Sequence, residues 1–355
     1  MPELYEDVNG KNVEYCHVPD EYRKIFAPLM YGFVFVLGMV LNGTLLCLVC
    51  CTTKSWSCSV IYLVNLAVAD LLYVLTLPLL IISHAMEDAW PFGDTACRMV
   101  RFSFSANLHS SMMFLMCISV HRYLGVCYPI KAVVYKTKRI AAVLSTFVWI
   151  VVATELLPTF AFTHTGIIKN VTVCFDLTSP GDFHQYLPYG LFTTVVCFLI
   201  PTLVIFTCYC SMVKTLLQNQ ANIQVGQEIR RKSARTIIIV CLLFGICFVP
   251  HYITKTMYLF LRTYLINNCN ALQRMIQAYV IWRPIVSFNS CINPILYFAS
   301  SKKYPEVLLS QLFKTKVHPS VQSETDSEHG NINSGMPQRA YLDVVFKNVG
   351  TATLS

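Results

Sequence analysis

The chain reads as an all-α membrane protein, a seven-transmembrane helix bundle with its N-terminus extracellular and its C-terminus cytoplasmic. Three observations carry that expectation. Seven apolar stretches each exceed the ~20 residues that cross ~30 Å of hydrocarbon at 1.5 Å per residue. Of 355 residues, 55% are hydrophobic and 13% charged, where a soluble domain carries about 25% charged residues. The basic residues gather in alternate loops, as the bias that sets membrane orientation requires.

The elements follow in order. Residues 1–25 form an acidic extracellular segment with Glu3, Glu6, Asp7, Glu14, Asp20 and Glu21. The apolar run behind it lacks a basic leader and a small-residue cleavage site, so a retained span is expected rather than a signal peptide. Spans are expected near 26–51, 59–83, 98–126, 141–162, 186–213, 234–260 and 275–298, as helices rather than barrel strands. Lys54, Lys131, Lys136, Lys138, Arg139, Arg230, Arg231, Lys232 and Arg235 fall in loops of one side. Glu87, Asp88, Asp94, Asp176 and Asp182 fall on the other. The basic side is then cytoplasmic. Residues 26–300 hold the bundle, 301–316 a short cytoplasmic amphipathic segment, and 317–355 a polar, Ser/Thr-rich disordered tail. Phosphate on that tail would add roughly −1.5 to −2 charge per site. The net charge of +8 belongs to loops that face lipid headgroups and implies no nucleic-acid partner.

Most of the 16 cysteines lie inside spans, where they pack as small apolar residues. Cys16, Cys97, Cys174 and Cys269 map to the oxidising face. A Cys97–Cys174 bridge would pin the second outer loop over the bundle, and a Cys16–Cys269 bridge would tie the N-terminal segment to the third. Asn170-Val-Thr172 is an external glycosylation sequon, whereas Asn42-Gly-Thr44 lies inside the first span and reads as a false match.

Three fixed cations stand out at the outer ends of spans: Arg101, Lys255 and Arg283. Arg101 precedes Arg122 by 21 residues, roughly 31 Å of helix, so the two lie near opposite faces. Lys255 lies about 7.5 Å outward of Pro250, and Arg283 about 16 Å outward of Pro294. Charges at that depth are costly without water, a partner or a ligand, and three together suit a small, multiply charged anion. Arginine grips phosphate oxygens bidentately and lysine acts as a point charge. Snorkelling to the interface, or pairing with Asp176, is the competing explanation. Phe104, Tyr258 and Tyr279 can pack on a base or serve as interfacial aromatics. Deeper in the bundle, Asp70 with Ser111, Asn289 and Asn293 suits a structural sodium ion or a polar network. Glu155, a second intramembrane acid, is expected to hydrogen-bond a neighbouring helix. No enzymatic nucleophile–base set or catalytic metal spacing stands out, and no other cofactor is implied.

Several runs together resemble class-A (rhodopsin-like) G-protein-coupled receptors: Asn65-Leu-Ala-Val-Ala-Asp70, His121-Arg122-Tyr123, Trp149, Pro201, Phe248-Val-Pro250 and Asn293-Pro-Ile-Leu-Tyr297. Within that class, Trp90-Pro-Phe-Gly-Asp94, Cys97-Arg-Met-Val-Arg101-Phe102, Ile253-Thr-Lys255-Thr256 and Arg283-Pro284 are similar to the P2Y nucleotide receptors. Ala106-Asn-Leu-His109 and the loop from Asn170 to Asp176 look most like the uridine-nucleotide-responsive members. The sequence departs from that pattern at Tyr252, preceded by His251, where a histidine is common. It departs again at Val280, Trp282, Ser105 and Asn293.

The resemblance implies a plasma-membrane receptor for an extracellular nucleotide, signalling through a heterotrimeric G protein, Gq/11 favoured, with phospholipase C and calcium downstream. It implies arrestin binding through a phosphorylated tail. Arg101, Lys255, Arg283, Phe104, Ser105, Tyr252, Tyr258 and Tyr279 become the ligand set. His121, Arg122, Tyr123, Tyr209, Asn293, Pro294 and Tyr297 become the coupling and switch set. A receptor for a dicarboxylate or an anionic lipid mediator is the nearest alternative. A transporter or channel is remote, because no internal repeat or broken helix pair is visible.

Overall fold

The structure is a computed structural model that describes residues 3–6, 12–15, 21–52, 56–130, 132, 137–168, 170–179, 181–218, 237–264 and 269–300, the side chains of 3–6, 12–15, 21–23, 52, 216–218, 269 and 296–300 excepted. The Cys16–Cys269 pair, the Tyr297 side chain, the basic loop around Arg231, the 301–316 segment and the 317–355 tail lie outside the described residues.

Seven helical spans form the chain's body. They are α1 (Glu21–Thr52), α2 (Cys58–Ala85), α3 (Gly93–Cys127), α4 (Lys138–Phe162), α5 (Phe183–Gln218, in three consecutive segments), α6 (Ile237–Tyr264) and α7 (Cys269–Val286 continued by Asn289–Ser300). Six are long and apolar enough to cross a membrane as they stand. The seventh is interrupted at Ser287–Phe288, one turn beyond Pro284. Large apolar side chains such as Phe33, Val143, Phe147, Leu203, Phe206 and Ile253 are exposed. Scattered along outer helix faces over such lengths, they fit lipid as the solvent rather than water.

Helix ends and bends have local causes. Ser57 and Thr137 cap α2 and α4, accepting the backbone N–H groups of Val60 and Ile140. Pro78 has no N–H for the carbonyl of Val74, and α2 breaks at Leu75–Thr76, where the Thr76 hydroxyl donates to the Tyr73 carbonyl at 2.7 Å. Pro201 and Pro250 likewise cannot donate four residues back. Both helices widen just before them into π turns, Val195–Leu199 in α5 and Phe244–Phe248 in α6. The N–H groups of Ile200 and Val249 reach the carbonyls of Val195 and Phe244 instead.

The helix α3 is central, packing on α2, α4 and α5. Polar links fix neighbours where apolar packing gives no register. Trp149 donates to the Asn65 side chain at 2.9 Å, joining α4 to α2. Asn42 donates to the carbonyls of Gly38 and, at 2.8 Å, Ser290, joining α1 to α7. Asn42 is fully buried, which removes its sequon from contention.

Among the described residues, two hairpins lie outside the helices. Strands β1 (Glu3–Glu6) and β2 (Asn12–Tyr15) pair antiparallel in the N-terminal segment. Strands β3 (Thr165–Ile168) and β4 (Val171–Cys174) pair between α4 and α5, with Ile168 opposite Val171. Asn170 sits at that hairpin's tight turn with φ 63°, a conformation asparagine tolerates, and it is exposed, as a glycosylation acceptor must be.

Candidate functional site

The β3–β4 hairpin is anchored over one end of the bundle. A disulfide joins Cys97 of α3 to Cys174, the last residue of β4, with their Cα atoms 5.6 Å apart. The Trp90 N–H donates to the Thr172 carbonyl, and Asp94 accepts the Thr165 N–H at 2.7 Å. The chain leaving β4 is thereby led across the helix ends, and Phe175 and Asp176 are delivered onto Arg101.

Arg101 of α3 donates to the carbonyls of Cys174 at 2.9 Å and Phe175 at 3.1 Å. Its Nη1 lies 3.1 Å from Asp176 Oδ1, and Arg283 Nη2 of α7 lies 2.7 Å from that same oxygen. Both guanidiniums are buried. One carboxylate oxygen therefore supplies counter-charge to two arginines. The contacts are Coulombic rather than directed, because Arg101 Nη1 and Arg283 Nε and Nη2 meet no acceptor in hydrogen-bond geometry. Arg283 also stands 4.8 Å above the Phe104 ring, a cation–π position. Lys255 of α6 is buried as well. Among the described residues it makes no ion pair or hydrogen bond, and its ammonium lies 5.9 Å from the Tyr252 ring centre.

These groups face one cavity of ≈ 540 Å³ including its open mouth, lined by Arg101, Phe104, Ser105, His109, Asp176, Tyr252, Lys255 and Tyr279, among others. Arg283 reaches it through Asp176 and Phe104. Tyr258 does not line it but stacks behind Tyr279, ring centres 5.6 Å apart, and meets the edge of Phe183. Tyr252 stacks on Phe198 at 4.3 Å, leaving its edge to the cavity. Sequence reasoning missed His251, Tyr186, Tyr189, Thr159 and Thr193 in the lining. Tyr186 and Tyr189 stand three residues apart on α5, so their common face was legible in principle.

Midway along the bundle, the fully buried Asp70 accepts Asn107 Nδ2 at 2.7 Å and Asn293 Nδ2 at 3.0 Å. Asn289 donates to Ser111 at 3.1 Å, and Asn293 also reaches Ser111 at 3.5 Å. The four expected residues thus meet, with Asn107 and Ser290 added. The Asn293 Oδ1 atom is buried and has no hydrogen-bond partner.

At the opposite end of α3, His121 approaches Ser59 Oγ at 3.2 Å and meets Tyr62 edge-on. Tyr123 packs edge-on against Tyr128. Ser119 donates to the Tyr209 hydroxyl at 2.9 Å, so α3 and α5 are joined one turn from Arg122, whose charge is in electrostatic reach of Tyr209. Pro294 lies within the second segment of α7.

Comparison with known proteins agrees with this architecture. The family model of the 7 transmembrane receptor (rhodopsin family) matches residues 41–297. The chain is 41% identical to P2Y purinoceptor 3 of Gallus gallus over 293 residues, covering 82% of this chain and 89% of that relative. It is 41% identical to P2Y purinoceptor 6 of Homo sapiens over 303 residues, 84% and 92% of the two chains. To P2Y purinoceptor 4 of Xenopus laevis it is 38% identical over 311 residues, 86% of this chain and 57% of that one. A seven-helix body, a disulfide-pinned loop over its mouth and arginines from α3 and α7 converging there thus occur in a chain that belongs to the P2Y purinoceptors, within the rhodopsin family of seven-transmembrane receptors.

Proposed function

We propose that this plasma-membrane receptor binds an extracellular nucleotide by its phosphates, a uridine nucleotide in first place, and signals through a heterotrimeric G protein. One observation carries the ligand assignment. Two buried guanidiniums share a single carboxylate oxygen and still hold N–H groups without acceptors, while the nearby Lys255 has no anionic partner in contact among the described residues. A single carboxylate shared by two guanidiniums balances part of that charge. A di- or triphosphate offers more charge and several oxygens, and it matches the arginine forks bidentately. Tyr279 and Phe104 supply ring surfaces, and Tyr252 a ring edge, against which a base can pack.

The ligand acts by differential affinity for two bundle states. Phosphates bridging α3, α6 and α7 replace Asp176 as the counter-charge and draw Lys255 toward the other two cations. The π turn of α6 sits seven residues before Lys255, and a bend there would carry the pull toward the far end of α6. Arg122 and Tyr209 would then change partners at the cavity that receives the G protein. Gq/11, phospholipase C and calcium are the proposed output, and arrestin a further partner through the phosphorylated tail.

A sodium ion is proposed at Asp70, where the unpartnered Asn293 Oδ1 supplies an oxygen beside the carboxylate and Ser111 Oγ lies within reach. When bound, the ion supplies the counter-charge that a carboxylate at this depth otherwise lacks. Asp70, Ser111 and Asn293 would hold it, and Asn107 would keep its bond to the carboxylate.

The test is a calcium-response panel on cells expressing the chain, comparing UDP, UTP, ADP, ATP, UDP-sugars and dicarboxylates. Uridine nucleotides should act at the lowest concentration. A response confined to dicarboxylates would move the assignment to that class, because a carboxylate already fits between Arg101 and Arg283.

A further inference from the structure

Beneath the anion cradle, His109 of α3, Glu155 of α4 and Cys197 of α5 form one buried cluster. Their donor atoms all lie within 4.8 Å of one another. His109 Nδ1 and Glu155 Oε1 approach to 3.1 Å, yet neither has a hydrogen-bond partner. The other carboxylate oxygen, Oε2, accepts the Cys197 thiol. A buried carboxylate beside an imidazole and a thiol is costly unless a positive centre, a proton or a metal ion, joins them. Cys197 itself occupies the π turn Val195–Leu199, a helix irregularity that recurs at functional sites.

We propose that His109, Glu155 and Cys197 bind one divalent transition-metal ion of the zinc class. Nitrogen and sulfur donors exclude calcium and magnesium, which take oxygen ligands, and favour zinc. Around a tetrahedral zinc ion with ligands at 2.0–2.3 Å, donors stand about 3.3–3.8 Å apart. Separations of up to 4.8 Å need a contraction of at most about 1 Å. On binding, the Cys197 S–H bond breaks, a sulfur–metal bond forms, and the proton leaves to water through the cavity that His109 lines. Thiolate and carboxylate then offset the two positive charges, and the imidazole stays neutral. A site without net charge is the only inexpensive one at this depth.

The geometry supplies a role for the fourth coordination position. His109 lines the cavity, so water or a ligand atom could complete the coordination from that side, and the ion would tie three helices together beneath the cavity. Lys255 of α6 is in electrostatic reach of both Glu155 and Cys197. Its charge opposes a neighbouring cation and sets an upper limit on affinity, without occupying any of the three donor atoms.

Cobalt(II) titration of the purified full-length receptor in detergent micelles tests the site, with zinc(II) used to displace it. Wild type should take up one equivalent with tetrahedral visible bands and a sulfur-to-cobalt charge-transfer band, both discharged by zinc. Cys197→Ser should lose the charge-transfer band, and His109→Gln and Glu155→Gln should each weaken cobalt binding by about 10-fold or more. If Cys197→Ser fails to fold, Glu155→Gln, nearly isosteric, decides. Absence of cobalt binding to folded wild type overturns the proposal. So does an unchanged charge-transfer band in folded Cys197→Ser, or unchanged affinity in folded Glu155→Gln. No nucleotide takes part, so the result stands apart from the nucleotide assignment.

Discussion

Asp176 and Lys255 show how differently two charged residues of one cavity are placed. Asp176 is the counter-ion of Arg101 and Arg283, and removing one partner of a buried pair leaves charge uncompensated. Asp176 is a quarter exposed, which tempers the cost to about 1–3 kcal/mol. Asp176→Asn should therefore lower the melting temperature of the ligand-free receptor, while the stabilisation produced by saturating nucleotide grows, because phosphate then fills an uncontested site. A thermal-shift assay with and without UTP checks both. Arg101 and Lys255 should part ways too. Arg101 holds the loop through the Cys174 and Phe175 carbonyls, so Arg101→Ala should reduce surface expression as well as potency. Lys255 makes no such bond, so Lys255→Ala should reduce potency by about 10- to 100-fold, the equivalent of a charge-assisted contact of roughly 1.5–3 kcal/mol, at normal expression. Surface immunolabelling beside the dose–response curve separates the two patterns.

The hairpin after α4 turns the helix bundle into a closed cradle, and the Cys97–Cys174 bond is its fixed point. Cys97→Ser or Cys174→Ser should abolish nucleotide response or surface expression, and alkylation of non-reduced receptor should leave both thiols unlabelled. Span placement was legible because length and hydropathy act locally: the expected 98–126 and 141–162 fall within α3 and α4. Arg101, Arg283 and Lys255 were legible because an isolated cation in an apolar run has few structural uses. Their division of labour was not, since it depends on a loop residue, Asp176, delivered onto Arg101 from far along the chain by a hairpin and a disulfide. The break in α2 escaped hydropathy for the opposite reason: Pro78 changes backbone geometry while leaving the sequence apolar. Glu155 read as an acid needing a partner, but nothing in the chain order pairs it with His109 and Cys197. Only the crossing of α3, α4 and α5 does that.

Across the whole molecule, an anion cradle at one end of α3 and Arg122 near the other define a signalling axis, with the Asp70 cluster between them. Arg122→Ala should remove agonist-stimulated nucleotide exchange on the G protein while leaving agonist binding measurable. Membranes assayed for both quantities check this directly. In the proposed reading the axis begins with phosphate binding, and the most direct measurement is agonist potency at matched surface expression for Lys255→Ala, Arg283→Ala and Arg283→Lys. Both alanine variants should need about 10- to 100-fold more nucleotide, with Arg283→Lys between Arg283→Ala and wild type, because lysine keeps the charge and loses the planar fork. Unchanged potency in all three would contradict the assignment of these cations to the phosphates.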